Sequence, residues 1–458
     1  MMRGMRNGGS CILRCEACGK LQRTSSPVEG ASGALARFLE PMMSAATSQA
    51  IAPAESVTRT KDASAVSAPP PRNIAVDAYR GLVMVLMMGE VMRWADTAKA
   101  FPESTFWRIL AYNQTHVEWA GMSLHDTIQP GFTFLAGAAL PYSIRSRQRK
   151  GESFAHMLFH TMWRSVLLIA LGIFLRSTDS PITYYTFEDT LSQIGLGYTF
   201  AFLIAFLKPR WHWIWLGVIL FGYWLAWALY PAPGANYDWT AVGVSPDFVQ
   251  KYLYHGFAAH WNKNSNFGNA FDVWFLNLFP RTSRFAYNEG GYLTLSFIPT
   301  LGTMLLGLIA GRWFHESAPK IPLRKFAIAA VALMAAGLLL HFTGICPIVK
   351  RIWTPAWTLW SGGVCFAFLA AFSWVIDVRG YRKIAFPLVV VGMNSIAAYL
   401  IAHLWEEFIL NSFKIHLGMG FLNIFGTGLE PFFLGVLTML AYWLILWWMY
   451  KKRIFIRI

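Results

Sequence analysis

Charge is what this chain has least of. Only 14% of its 458 residues are charged, and 24 of them are acidic, against about 25% charged in ordinary globular chains. That deficit accompanies 55% hydrophobic and 16% aromatic residues and a mean hydropathy of +0.40. It excludes a conventional soluble enzyme and marks a chain solvated largely by lipid. Cysteine is scarce as well: Cys346 and Cys365 lie in the apolar part, and Cys11, Cys15 and Cys18 in a polar stretch, so no even disulfide framework is visible. The triplet has no fourth ligand near it, the nearest histidine being His116, and structural zinc takes four ligands; no metal is expected. A net charge of +15 would suit nucleic acid if the cations gathered on a polar domain. They sit in short clusters between apolar runs, which excludes that partner.

Residues 1–72 are rich in Ser, Ala, Gly and Pro, end in Pro69-Pro70-Pro71 and carry no apolar periodicity. This composition cannot bury enough surface to order itself and predicts a disordered tail. Arg3, Arg6, Arg14 and Arg23, with few acids between them, imitate an organelle presequence; the simpler expectation is a translation start at Met42 or Met43. From residue 73 to 458 the sequence predicts a single all-α domain, a polytopic membrane helical bundle. A hydrocarbon core of ~30 Å takes about 20 helical residues, and about ten runs qualify as transmembrane helices. They are Ile74–Trp94, Ile128–Ile144, Met157–Leu175, Leu191–Leu207, Trp211–Tyr230, Tyr292–Trp313, Phe326–Phe342, Ala356–Ile376, Ile384–Leu404 and Phe432–Tyr450.

With a cytoplasmic N-terminus, the inside loops hold 16 Lys and Arg in 42 residues, and the outside loops hold 10 in 149. The positive-inside rule therefore puts both termini in the cytoplasm. The outer segment 231–291 is too long for a simple connection and carries Trp239, Tyr252, Tyr254, Trp261, Trp274, Asn262, Asn266, Asn269 and Asp272. Aromatic faces among amides and a carboxylate suit a sugar ring; an interfacial aromatic belt explains them equally well.

Ionisable side chains inside a span normally face a cavity or a partner. Asp77 with Arg80, and Glu90 with Arg93, have the i,i+3 spacing of ion pairs on one helical face. Arg164 lies two turns into the third run with no acid at i,i+3 or i,i+4, so it is expected to reach a ligand phosphate or a carboxylate on another helix. Ser395, Tyr399 and His403 recur at i, i+4, i+8 beside Asn394, a stripe that must look into the protein, whether toward a ligand or as glue between helices. Between the first two runs, His116 is followed by Glu118, Trp119, Gly121, His125 and Asp126. Two histidines and an acid converge near one membrane surface, and polar capping is the alternative to chemistry there.

Taken in order, these motifs resemble the heparan-alpha-glucosaminide N-acetyltransferase family and its bacterial relatives among transmembrane acyltransferases. The resemblance runs from Val76-Asp77 and Arg80-Gly81, through His116, Trp119 and Gly121, to Asp126 with Pro130, Phe132, Phe134 and Gly137. It continues with Trp163-Arg164-Ser165, Leu171-Gly172, Ile194-Gly195 with Tyr198, and Glu289-Gly290. Pro347 with Lys350 and Trp353, Asp377-Val378 with Gly380, and Gly392-Met393-Asn394-Ser395 complete it. The chain departs from the family where Glu90 stands in place of a common asparagine, Ser192-Gln193 in place of Gln-Arg, and Tyr287-Asn288 in place of an acidic-proline turn.

The resemblance implies acetyl transfer from cytosolic acetyl-CoA, as co-substrate, to an amino sugar or glycan across the membrane, with His116 at the chemistry. Imidazole serves as base or as acyl carrier near neutral pH, with Asp126 or His125 orienting the ring. Arg164, Asn394 and Ser395 are the candidates for the CoA side, and Trp119, Asn269, Asp272 and Glu289 for the acceptor. The bacterial relatives suggest a bacterial inner membrane as the location. Two other readings stand beside this one: a transporter of a small polar or anionic solute, and a catalytically silent glycan-binding membrane protein. A homodimer is among the assemblies left open.

Overall fold

The computed structural model describes residues 73–456; the expectations for the tail 1–72 lie outside the described residues. Sixteen α-helices follow in order: α1 Ile74–Met88, α2 Trp94–Ala100, α3 Thr105–Gln114, α4 Ile128–Arg149, α5 Phe154–Arg176, α6 Thr190–Ala205, α7 Pro209–Leu229, α8 Pro246–Tyr252, α9 Phe267–Phe275, α10 Phe297–Ser317, α11 Leu323–Phe342, α12 Pro355–Phe372, α13 Phe386–Met393, α14 Ser395–Leu404, α15 Glu406–Leu422 and α16 Glu430–Lys451. Their starts follow local chemistry. Asn73, Ser153 and Asp189 each accept a backbone N–H of the first turn through the side chain, the arrangement that satisfies orphan donors at a helix N-terminus.

The protein is an all-helical, polytopic membrane protein. Among the described residues six helices are long and apolar enough to cross a bilayer: α5, α7, α10 with the turn before it, α11, α12 with the π-helical turn after it, and α16. α13 and α14, bent by 79° relative to one another, make a seventh if they form one broken span. The remaining three expected runs fall short for physical reasons. α6 has 16 residues, about 24 Å of helix against a core of ~30 Å, and α1 with the 3-10 turn after it carries Asp77, Arg80 and Glu90. α4 has the length, but Gln129, Ser143, Arg145 and Arg147 dilute its apolarity.

The first run was expected to reach Trp94. Its α-helix ends at Met88, passes through a 3-10 turn over Gly89–Met92, and breaks at Arg93, which is left-handed at φ 46°. The break removes the i,i+3 register, so the expected Glu90–Arg93 pair gives way to a contact between Glu90 and His125. Asp77 and Arg80 do pair, at 3.4 Å.

α10 is the hub, buried along nearly all of its apolar length. Close approach to α4 explains why glycines face each other there. A Cβ on Gly307 would lie 1.8 Å from the Phe134 carbonyl oxygen, and one on Gly137 would lie 2.0 Å from that of Met304. Without side chains at these points the backbones can touch, which is how membrane helices gain packing where lipid supplies no hydrophobic drive. A second core, built by Trp119, Trp227, Trp261, Trp353 and Trp357, joins segments 95–127, 231–291 and 343–355. Arg351 donates to the carbonyls of Val117 and Gly290 at 3.4 and 2.8 Å, and Gly121 N–H to that of Ile348 at 3.1 Å.

Gly307→Ala is therefore expected to destabilise the α4–α10 contact by about 1–3 kcal/mol, the usual scale of overpacking. Gly420→Ala, whose Cβ would meet nothing within 4 Å, should stay within about 0.5 kcal/mol. Thermal unfolding of the two variants in one detergent checks the contrast, and equal shifts would contradict this packing.

Candidate active site

His116 sits just beyond the end of α3, and Asp126 in the 3-10 turn His125–Thr127 that leads into α4. His116 Nδ1 lies 2.7 Å from Asp126 Oδ1. Asp126 itself has no exposed surface, and its other oxygen is filled from the chain beside it. Oδ2 accepts from Ser123 N–H and Ser123 Oγ at 3.0 Å each, and from Val117 N–H at 3.3 Å. Lys350, from the segment between α11 and α12, completes the group with Nζ 3.1 Å from Asp126 Oδ1 and 3.0 Å from His116 Nδ1.

The shorter of the two contacts to Nδ1, that of Asp126, bears on the tautomer. An ionised Asp126 at 2.7 Å requires a proton on His116 Nδ1, because two lone pairs would repel at that distance. Nε2 then carries the free lone pair, as in other carboxylate–histidine pairs. Among the described residues Nε2 has no hydrogen-bond partner, and the ring, 37% exposed, opens on a cavity of about 590 Å³.

Electrostatics supports the same assignment. Burial by itself would raise the Asp126 carboxyl, but the hydrogen bond from His116, the Lys350 ammonium and the Ser123 N–H outweigh it and hold the group well below the usual carboxylate range. For His116, burial and the Lys350 charge together outweigh Asp126 and lower its pKa. The imidazole is thus neutral near pH 7, the state a base needs. Burial also lowers the Lys350 ammonium, with Asp126 opposing.

The cavity runs from His116, His125, Glu90 and Lys350 down to Met84 and Phe132, about 9 Å along α1 by helical rise. Its wall carries four carboxyl side chains, Glu90, Asp179, Glu188 and Asp189, against two basic ones, Arg176 and Lys350. Tyr399 and His403 of the expected stripe also line it, stacked 4.2 Å apart; Ser395 lies outside. A second cavity of about 570 Å³ adjoins the first, sharing Arg176, Glu188 and Tyr292.

The candidates for the CoA side go elsewhere. Arg164 donates to the Tyr198 hydroxyl at 2.9 Å and lies 4.6 Å over the Tyr198 ring, so its partner within the protein is a phenol rather than an acid on another helix. Asn394 is buried and ties down the C-terminal segment, donating to Ile454 O at 2.8 Å and accepting from Ile456 N–H at 3.2 Å. Neither these two nor Ser395 lines either cavity.

Of the acceptor candidates, Glu289 is exposed in the second cavity. Trp119 is 1% exposed and packs edge-on to Phe248. Asn269 and Asp272 are buried in α9, where Asn269 N–H donates to the Asn266 side chain and Asp272 Oδ2 accepts from Thr294 N–H. Burial pushes the Asp272 carboxyl up to about 7.

Lys350, Asp179, Glu188 and Asp189 were not singled out from sequence for any role, and Glu90 only as the expected partner of Arg93 and as a departure from the family pattern. Lys350 is 234 residues from His116, and its only signal was membership of the ordered motif set. Asp189 also caps α6, accepting from Leu191 and Ser192 N–H.

The two neighbours of His116 pull its titration in opposite directions. Lys350→Met is expected to raise the His116 pKa, and Asp126→Asn to lower it further. NMR titration of histidine-labelled protein, with His116→Ala to assign the signal, checks the signs; a rise in Asp126→Asn would contradict the assigned tautomer.

Comparison with known proteins gives the wider setting. No protein-family model matches the chain. It is 23% identical over 392 residues to the heparan-alpha-glucosaminide N-acetyltransferase of Homo sapiens, covering 76% of this chain and 55% of that protein. It is likewise 23% identical over 377 residues to the Mus musculus protein of the same name, covering 74% and 54%. The chain thus spans about half the length of the curated relatives it matches. The helical membrane protein with an Asp126–His116 pair on a cavity is distantly similar to heparan-alpha-glucosaminide N-acetyltransferase.

Proposed function

We propose that this protein is a transmembrane N-acyltransferase, moving an acetyl group from cytoplasmic acetyl-CoA to an amino sugar or glycan on the other side of the membrane. The observation that carries the reading is the His116–Asp126 pair at 2.7 Å, with the remaining ring nitrogen free on a cavity of about 590 Å³. That volume lies within the range of small-molecule sites. The wall has more carboxyl than basic side chains, which suits the uncharged pantetheine arm and a cationic amine. It does not suit the nucleotide phosphates, which stay outside.

The donor supplies an activated thioester. His116 Nε2 removes a proton from the attacking amine and returns it to the departing sulfur, or it takes the acyl group itself before passing it on. Asp126 holds the ring and offsets the positive charge that His116 gains as it accepts the proton. Lys350 keeps Asp126 ionised and, 3.0 Å from the ring, keeps imidazolium from accumulating at rest. Glu289, exposed in the adjoining cavity, is available to acceptor hydroxyls.

Purified protein in detergent, given labelled acetyl-CoA and glucosamine, is expected to release CoA and form the N-acetyl sugar. His116→Ala should reduce the rate by about 10²–10⁴-fold, the range of a lost general base. CoA release unaffected by His116→Ala, or uptake of the sugar by vesicles without acetylation, would overturn the reading, the second outcome in favour of transport.

A further inference from the structure

A second carboxylate–imidazole pair stands beside the first, and the mechanism above leaves it without a task. His125 Nε2 lies 2.9 Å from Glu90 Oε1, and the rings of His125 and His116 are 4.5 Å apart. The two pairs are built in opposite senses. In one, the carboxylate is sealed and the imidazole open, Asp126 being 0% and His116 37% exposed; in the other, His125 is 6% and Glu90 58% exposed. A carboxylate that served only to hold a histidine would gain from being sealed as Asp126 is, since burial strengthens the interaction. Glu90 instead opens on the same cavity as His116.

The backbone keeps it there. Glu90 sits in the 3-10 turn over Gly89–Met92. The Gln114 side chain grips that turn, donating to Gly89 O and accepting from Trp94 N–H at 3.2 Å. Gln114 ends α3 two residues before His116, so one side chain positions both pairs. With Nε2–H donated to Glu90, His125 holds a lone pair on Nδ1, for which the described residues provide no partner.

We propose that Glu90 and His125 form the second proton acceptor of the acyl transfer, and that Glu90 is the counter-ion for a cationic primary amine on the acceptor. This rests on the acyltransferase reading. An ammonium acceptor brings three N–H protons, and the amide product keeps one. As the C–N bond forms and the thioester C–S bond breaks, two protons leave nitrogen: one ends on the CoA sulfur, the other in solvent. His116 Nε2 has one lone pair and serves the proton bound for sulfur. The Glu90–His125 pair takes the earlier one, freeing the lone pair with which nitrogen attacks, and the exposed carboxylate passes that proton to water.

The charges around the pair fit this task. Lys350, His116, His403 on α14 and Glu406 on α15 all lie close enough to act on Glu90 through space. Arg176 at the end of α5 and Asp189 at the cap of α6 line the same cavity. Lys350 is already neutralised by Asp126 at 3.1 Å, so the side of the cavity at Glu90 is left anionic for an incoming ammonium.

The test is a pH–rate profile of the full-length protein in detergent, with acetyl-CoA and glucosamine as probes. Glu90→Gln should lose about 100-fold in kcat/KM at neutral pH and recover as the pH rises through the amine's own pKa, where solvent supplies the free base. His125→Gln should show the same profile and Glu90→Asp a partial rescue. Loss by the same factor at every pH, or no loss, would overturn the proposal. Absence of CoA release from the unaltered protein would overturn the acyltransferase reading and this inference with it, an outcome visible before any variant is made.

Discussion

An ionised carboxylate deprived of water loses several kcal/mol of solvation unless donors replace it, and the Asp126 carboxylate has no exposed surface. The chain around it is arranged to supply them. Ser123 and Val117 donate from the same connection, Lys350 arrives from the segment between α11 and α12, and His116 donates through Nδ1. Meeting this one requirement draws the α3–α4 connection and the α11–α12 connection together and sets which nitrogen of His116 faces the cavity. Arg351, next to Lys350, extends the same seam to Val117 and Gly290, so the three long connections act as one cap over the bundle.

The bundle beneath meets a different requirement. α10 has almost no exposed face, and its contact with α4 is backbone against backbone at Gly307 and Gly137. α4 is the helix that begins at the Asp126 turn, so close packing in the apolar layer sets the height and rotation of the reactive group. α1 enters the site from the other side. Its early end at Met88 turns Glu90 away from Arg93 and toward His125, and a side chain that reads as half of a helical ion pair becomes part of the cavity wall. Glu90 gives the cavity an anionic rim beside its imidazoles.

Helical class, membrane solvation and the identity of the polar residues that matter were legible along the chain, because they follow from local composition and spacing. His116, His125 and Asp126 lie within eleven residues of one another, and Tyr399 with His403 share a face at i,i+4; proximity in sequence was proximity in space for these. Arg164, Asn394 and Ser395 were chosen because polar groups in apolar runs need partners. That argument held for Arg164 and Asn394, but it could not say which partner, and the answers were a tyrosine ring and the C-terminal segment.

What composition and periodicity determined by themselves is that this chain is a helical membrane protein with imidazole and carboxylate held near one end of its helices. Only the tertiary structure decided that Lys350 stands 3.1 Å from Asp126, that Glu90 faces His125, and that carboxyl side chains outnumber basic ones in the cavity. The physical reason is distance along the chain. Helical periodicity reaches three or four residues, whereas these contacts join residues tens to hundreds of positions apart, brought together by the packing of apolar helices whose own sequences carry no record of the charges they align.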